Sequence, residues 1–149
     1  MTLPMTNATM EKFGHPRSAV AEIGAWTVLV RPKQPTLGSL VLVCREQATA
    51  FSDLSPQAFA DLREAVAGIE RVLKGFVDYE RINYLMLMMV DPDVHFHVIP
   101  RYEGTRSFGG VEVADAGWPG PPNLGSGADL DDAALDALAA ELKARWVAA

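Results

Sequence analysis

The chain has 149 residues, a hydrophobic fraction of 49% and a formal net charge of -6 at pH 7. This length predicts one domain with its own core, and the negative charge argues against nonspecific binding to nucleic acids or to anionic membranes. The single cysteine, Cys44, excludes an internal disulfide and a zinc site made of cysteines. Because no apolar run is long enough to cross a bilayer and no signal-peptide pattern opens the chain, we expect a soluble cytoplasmic protein with one domain over residues 1–149.

The first half of the chain predicts a frayed terminus, two strands and a long helix. Residues 1–10 are small and polar without periodicity, so we expect them to be disordered. Residues 25–30 and 40–44 are rich in β-branched and apolar residues, and a loop with prolines and a glycine separates them, which predicts two strands that pair antiparallel. Ser55-Pro56 is a typical helix start, and apolar residues follow it at spacings of three and four as far as Phe76. This helix is long enough to cover one face of a sheet.

Residues 82–90 are almost wholly apolar and predict a third strand. A turn at Asp91-Pro92 is expected to connect this strand to the next one as a hairpin. The Leu-Met-Leu-Met run within it has two interpretations, a part of the core or a flexible hydrophobic wall for a ligand. Core packing is favoured, because leucine and methionine are among the residues most often buried.

The segment from Asp93 to Val98 alternates strictly between polar and apolar residues, which predicts a β-strand with two chemically different faces. Val94, Phe96 and Val98 form the apolar face. Asp93, His95 and His97 lie on the other face, roughly 6.5–7 Å apart from one to the next. Two of the three histidines in the chain are therefore expected side by side on one face of a sheet.

After Arg101 the sequence loses its periodicity, and we expect a long loop over residues 102–127. Trp118 within this loop suits a ligand lid or a subunit interface, and filling a hydrophobic gap is an equally good interpretation. A C-terminal helix is expected over residues 129–147, because acidic residues suit its first turn and an apolar stripe follows them.

The paired histidines allow three kinds of chemistry. A neutral imidazole is a nucleophile that can attack phosphorus, with the second histidine holding phosphate oxygens or protonating the leaving group. The same spacing, with Asp91 or Asp93, also suits a divalent metal ion. The third interpretation is structural, with both imidazoles bonded to backbone groups in a half-buried strand. Spacing alone does not choose between the nucleophile and the metal site.

The segment His95-Phe96-His97-Val98-Ile99 resembles the signature of the histidine triad (HIT) superfamily, in which three histidines alternate with apolar residues and two apolar residues follow. The segments upstream resemble the family in the same order, and the similarity covers residues 24–101. It implies an α+β fold: an antiparallel sheet of about five strands, a long helix across one face and a C-terminal helix. It also implies a homodimer.

The resemblance implies a nucleotidyl hydrolase or transferase that acts on nucleoside phosphoramidates or dinucleoside polyphosphates. His95 matches the histidine that attacks the α-phosphorus and forms a nucleotidyl-histidine intermediate. His97 matches the histidine that contacts the phosphate and the leaving group. No metal ion or other cofactor is required for this attack.

The sequence departs from the family at two places. Asp93 stands where the family has its first triad histidine, and we expect its carboxylate to orient His95. The segment Val90-Asp91-Pro92 is too short for the glycine-rich phosphate loop that often precedes the triad. Arg31 lies near the position of a ribose-contacting residue and, with Arg101, is a candidate for phosphate binding. The alternative hypothesis is therefore a nucleotide-binding or interaction protein with weak turnover or none.

Overall fold

The computed structural model describes residues 3–148, which form three helices and nine strands. The helices are α1 (Ala8–Lys12), α2 (Pro56–Val77) and α3 (Asp132–Val147), and a short 3-10 turn at Phe51–Asp53 precedes α2. The strands are β1 (Ala19–Ile23), β2 (Trp26–Val30), β3 (Lys33–Gln34), β4 (Leu40–Cys44), β5 (Arg81–Leu85), β6 (His95–Arg101), β7 (Thr105–Phe108), β8 (Val111–Ala114) and β9 (Ala128–Asp129). No helix within residues 3–148 has the length and apolar character needed to span a membrane.

Five strands form one antiparallel sheet in the order β1-β2-β4-β6-β5, which confirms the predicted fold class. Both β2 and β4 are buried along their whole length, as their continuous apolar runs predict. The register places Val41 opposite His97 and Val43 opposite His95. Directly opposed side chains lie on the same side of a sheet, so these two valines share a face with the two histidines.

The two faces of the sheet are covered unequally. The larger core joins one face to α2 and α3, and Trp26 donates its ring N–H to the carbonyl oxygen of Ala58 at 2.8 Å. Ser55 caps α2 as predicted, because its hydroxyl accepts from the Ala58 N–H. Phe59 is an exception in the predicted apolar stripe, since it is 42% exposed and packs on Phe51. The histidine face carries a smaller cluster: Met10, Phe13, Leu29, Val41 and Val43.

The N-terminal segment corrects the expectation that residues 1–10 are disordered. Asn7 caps α1 by accepting from the Met10 N–H, and its side-chain amide donates to the Cys44 carbonyl oxygen at 3.0 Å. Thr9 and Met10 are buried. Burial of the methionine against the sheet stabilises a helix too short to persist alone. Residues 1 and 2 lie outside the described residues.

The segment 102–127 is also more regular than expected. It contains a hairpin of β7 and β8, and Gly109 and Gly110 both have positive φ at its turn, 58° and 83°. Two successive residues of positive φ are the requirement of a type I′ turn, so the Gly-Gly pair explains the hairpin. The helix predicted over residues 129–147 begins at Asp132, because Asp129 pairs with Lys33 in a separate two-stranded sheet and Asp131 is the N-cap.

The third predicted strand is shorter than expected. It leaves the sheet after Leu85, and residues 86–94 form an irregular connection to β6 in place of a tight turn at Asp91-Pro92. Leu87, Met89 and Val90 are 47%, 85% and 82% exposed. Within the Leu-Met-Leu-Met run of residues 85–88, the favoured interpretation as core is wrong for Leu87, whereas Met86 and Met88 are partly buried and pack against the larger core.

Candidate functional site

A cavity of about 260 Å³ opens on the histidine face of the sheet. The walls come from the end of α1, the end of β2, the connection before β6, the start of β6 and one residue of the segment between β8 and β9. They comprise Lys12, Phe13, Arg31, Leu87, Met88, Met89, Val90, Asp91, His95, His97 and Leu124. His95, His97 and Arg31 are the predicted site residues that the fold brings together here.

His95 is the first residue of β6, and its ring has a defined tautomer. Its Nδ1 lies 2.7 Å from the backbone carbonyl oxygen of Asp93. A carbonyl oxygen only accepts, so Nδ1 carries the proton and the neutral ring keeps its lone pair on Nε2. Nε2 has no hydrogen-bond partner among residues 3–148. The side chain is only 2% exposed, yet His95 is one of the residues that line the cavity, and Nε2 is its nucleophilic nitrogen.

Asp93 does not orient His95 through its carboxylate, which corrects the sequence-based expectation. The carboxylate oxygen Oδ2 accepts from the Thr9 N–H at 3.2 Å and from the Thr9 hydroxyl at 2.9 Å. The orienting group is the main-chain carbonyl of the same residue. A side chain of any type at position 93 retains that carbonyl, so the orientation of His95 does not require a histidine there.

The ring of His97 packs edge to face against two neighbouring rings, and the side chain is buried. The rings of His95 and His97 are 5.2 Å apart, and Phe13 lies 5.7 Å from His97. Burial, with smaller contributions from the nearby charge of Arg31 and from His95, lowers the pKa of His97 to about 4. Its Nδ1 is buried without a partner. His97 is therefore neutral at pH 7 and has an unused polar atom beside the cavity.

The lowered pKa of His97 predicts a stability that falls in acid. The unfolded chain binds a proton near the ordinary histidine pKa of about 6.5, whereas the folded chain does so only near 4, so the free energy of unfolding decreases as the pH falls through this window. We expect a loss on the order of 3 kcal/mol from this residue between pH 7 and pH 4. Urea unfolding of the wild type and of His97→Asn at both pH values measures it. Equal pH dependence in the two proteins would contradict it.

Three charged side chains border the cavity. Arg31 follows β2, donates from Nη1 to the Lys33 carbonyl oxygen at 2.9 Å, and has a buried Nε without a partner. Burial lowers the pKa of Arg31, although a guanidinium remains charged at neutral pH. Lys12 forms an ion pair with Asp91 at 3.0 Å. Two cations against one carboxylate leave the cavity suited to an anion.

Arg101 lies on the same face of β6 but is not available to a ligand in the way the sequence suggested. Its guanidinium forms a bidentate ion pair with Asp115, at 2.6 and 3.1 Å, and also donates to the Asn83 side chain and to the Gly120 carbonyl oxygen. The residue is 4% exposed. Arg101 therefore anchors the segment after β8, near Trp118. Its expected role in phosphate binding is corrected to a structural one.

Sequence reasoning missed several residues of the cavity. Lys12 and Phe13 come from a terminus interpreted as frayed or as loop, and the only local signal for them was Asn7 as a helix cap. The apolar residues from Leu87 to Val90 line this cavity, so for Leu87 and Met88 the less favoured interpretation, a hydrophobic wall, fits the structure. Among the described residues, no group of three or more His, Cys, Asp or Glu side chains is arranged to hold a metal ion.

Comparisons with known proteins agree with this fold. The family model described as HIT domain matches residues 13–104. A histidine triad protein from Sinorhizobium meliloti has 22% identity and a TM-score of 0.73, with 97% of each chain covered. One from Marinobacter aquaeolei has 18% identity and the same TM-score, over 99% of this chain and 98% of that one.

A more distant solved structure, Plasmodium falciparum diadenosine triphosphate hydrolase, has 12% identity and a TM-score of 0.63, with 87% of this chain and 76% of that one covered. At these identities the solved structures show the fold alone. No curated protein matches the sequence. Because the family model spans more than half of the chain, including the histidine strand, this protein belongs to the HIT-domain family, and that membership suggests nucleotide hydrolase or transferase activity.

Proposed function

We propose that the protein is a nucleotide hydrolase or transferase in which His95 attacks the α-phosphorus of a nucleotide conjugate. The observation that carries the proposal is the tautomer of His95. Its Nδ1–H is held by the Asp93 carbonyl, which leaves the lone pair on Nε2, and the residue lines a cavity bordered by Arg31 and Lys12. A nucleophile and cations on one wall are what attack on an anionic phosphate requires.

The chemistry proceeds in two displacements. The Nε2 lone pair forms a bond to phosphorus as the bond from phosphorus to the leaving group breaks, and the leaving group departs with that electron pair and takes up a proton from solvent. The resulting ring is a cation, which the Asp93 carbonyl stabilises through Nδ1–H. Water then attacks phosphorus and gives up one proton to solvent, the bond from Nε2 to phosphorus breaks with its electron pair returning to Nε2, and the neutral ring and a nucleoside monophosphate are released. Neutral His97, whose ring lies 5.2 Å from that of His95, is proposed to donate an N–H to a phosphate oxygen during both steps.

The proposed substrates are nucleoside phosphoramidates and dinucleoside polyphosphates. The Plasmodium neighbour is named for hydrolysis of a diadenosine triphosphate, which supports the nucleotide class for this fold. We also propose that the protein works as a cytoplasmic homodimer without a metal ion or other cofactor, and light scattering after size exclusion measures the assembly.

A trapped intermediate is the direct test of the function. The protein is mixed with a fluorogenic adenosine phosphoramidate or with diadenosine triphosphate, quenched within milliseconds, and examined by intact mass spectrometry and peptide mapping. We expect an added adenylyl group on the peptide that contains His95. Product formation without that adduct, even with a slowly hydrolysed phosphorothioate analogue, would contradict the covalent mechanism.

Arg31 is expected to bind the substrate phosphate. Arg31→Gln removes a charge-assisted donor from the cavity and should raise the KM for an adenosine phosphoramidate about 10-fold or more, with a smaller change in kcat. Steady-state kinetics measures the split. Arg63→Gln is the matched control, because Arg63 is exposed on α2 and pairs only with the adjacent Glu64. An unchanged KM in Arg31→Gln would remove Arg31 from the site.

The second candidate function is nucleotide binding without turnover. Two observations favour it: His95 is 2% exposed, and the connection before β6 lacks the glycine-rich loop that the family resemblance implies. In that case AMP should stabilise the protein thermally, and neither substrate should be hydrolysed. If the wild type hydrolyses either substrate and His95→Ala does not, the protein is an enzyme and this second candidate is rejected.

A further inference from the structure

We infer that Asp93 is a positioning residue that fastens α1 over the histidines through Thr9. We call the two hydrogen bonds between these residues the Asp93–Thr9 latch. This inference rests on the proposed function and deepens it. Position 93 then has a role of its own, different from that of a first triad histidine, and it controls how well the cavity holds a nucleotide.

The latch joins parts of the chain that are 84 positions apart. A single carboxylate oxygen of Asp93 accepts from both the backbone N–H and the hydroxyl of Thr9. Thr9 is 1% exposed, so breaking the latch leaves polar groups with little access to water. Buried polar groups without a partner are costly, which makes the latched arrangement of α1 strongly preferred.

The consequence lies in the residues that α1 carries. Lys12 is its last residue and Phe13 its C-cap, and both line the cavity. Phe13 places its ring 6.4 Å from that of His95 and 5.7 Å from that of His97. Lys12 reaches Asp91 on the connection before β6. The latch therefore fixes the position of one wall of the cavity. Asp93 also holds His95, through its backbone carbonyl.

Histidine at position 93 cannot reproduce the latch well. A carboxylate has only acceptor sites, so one oxygen can receive both donors of Thr9, whereas a neutral imidazole has a single acceptor nitrogen and adds a donor. Among the described residues, the Thr9 N–H and hydroxyl both donate to Asp93 and to no other acceptor. The two interpretations of position 93 therefore predict opposite effects of Asp93→His. If Asp93 forms the latch, the variant binds nucleotide more weakly; if Asp93 only weakens the triad, the variant turns over faster.

The test restores the family residue. Asp93→His should raise the KM for an adenosine phosphoramidate and the Kd for AMP about 10-fold, because the α1 wall is released. Asp93→Asn keeps an acceptor oxygen and should stay within about 3-fold of the wild type. Thr9→Ser should also stay close to the wild type. Thr9→Val should weaken AMP binding, but not further in an Asp93→Ala background, since both changes break the same contact.

Hydrogen exchange at the backbone amides of residues 9–13 gives a readout independent of turnover. It should accelerate in Asp93→His and Asp93→Ala and remain unchanged in Glu112→His, a control on the exposed face of β8. If the wild type turns over no nucleotide, the proposed function fails. Hydrogen exchange and the Kd for AMP then still show whether the latch positions α1. A higher kcat in Asp93→His would mean a weakened triad and overturn the latch. A lower melting temperature with unchanged KM, Kd and exchange would also overturn it.

Discussion

Replacing His95 by alanine is expected to reduce nucleotide turnover by a factor on the order of 10⁴ or more. Removal of a nucleophile leaves only binding and electrostatic stabilisation, and effects of this size are typical where a covalent step is lost. His95→Asn is measured beside it, because asparagine preserves more of the buried volume at the start of β6. Both variants should lose turnover by the same order, as measured by single-turnover kinetics with a fluorogenic phosphoramidate.

The matched control is His15→Ala. His15 is the third histidine of the chain, and it does not line the cavity that contains His95 and His97. This variant should retain wild-type turnover. Binding of AMP to His95→Asn should persist, since the cations of the cavity remain. Residual turnover of His95→Asn within about 10-fold of the wild type would assign the nucleophile to another group.

Replacing Arg101 by methionine is expected to destabilise the protein by about 3–5 kcal/mol, because it breaks a buried ion pair from one side. The side chains of Arg101 and Asp115 are 5% and 1% exposed, so the carboxylate loses its partner with little access to water. Asn83 and the Gly120 carbonyl lose their donor as well. Chemical denaturation at pH 7 measures the change.

A second variant separates the lost ion pair from the lost packing. Arg101→Met combined with Asp115→Asn removes the buried charge and should recover part of the stability, because burying an amide costs less than burying a carboxylate. Arg63→Met is the surface control and should change stability little. At temperatures where Arg101→Met is folded, its KM should equal that of the wild type. A raised KM in the folded variant would return Arg101 to the phosphate site.

The sequence alone determined the elements whose signals are local. The cap at Ser55 and the apolar spacing after it define α2, and the continuous apolar runs define β2 and β4. The alternation through residues 93–98 placed His95 and His97 on one face, where the structure has them. These signals suffice because backbone capping and the period of a strand depend on neighbouring residues only.

The tertiary structure decided the partners of the charged residues. Asp93 was expected to face His95 but bonds to Thr9, and Arg101 was expected to bind phosphate but is neutralised by Asp115. The N-terminal segment became part of the cavity because Thr9 bonds to Asp93 and Lys12 pairs with Asp91. A carboxylate or a guanidinium bonds to whichever complementary group the fold brings within about 3 Å, and no periodicity encodes that choice between residues far apart in the chain.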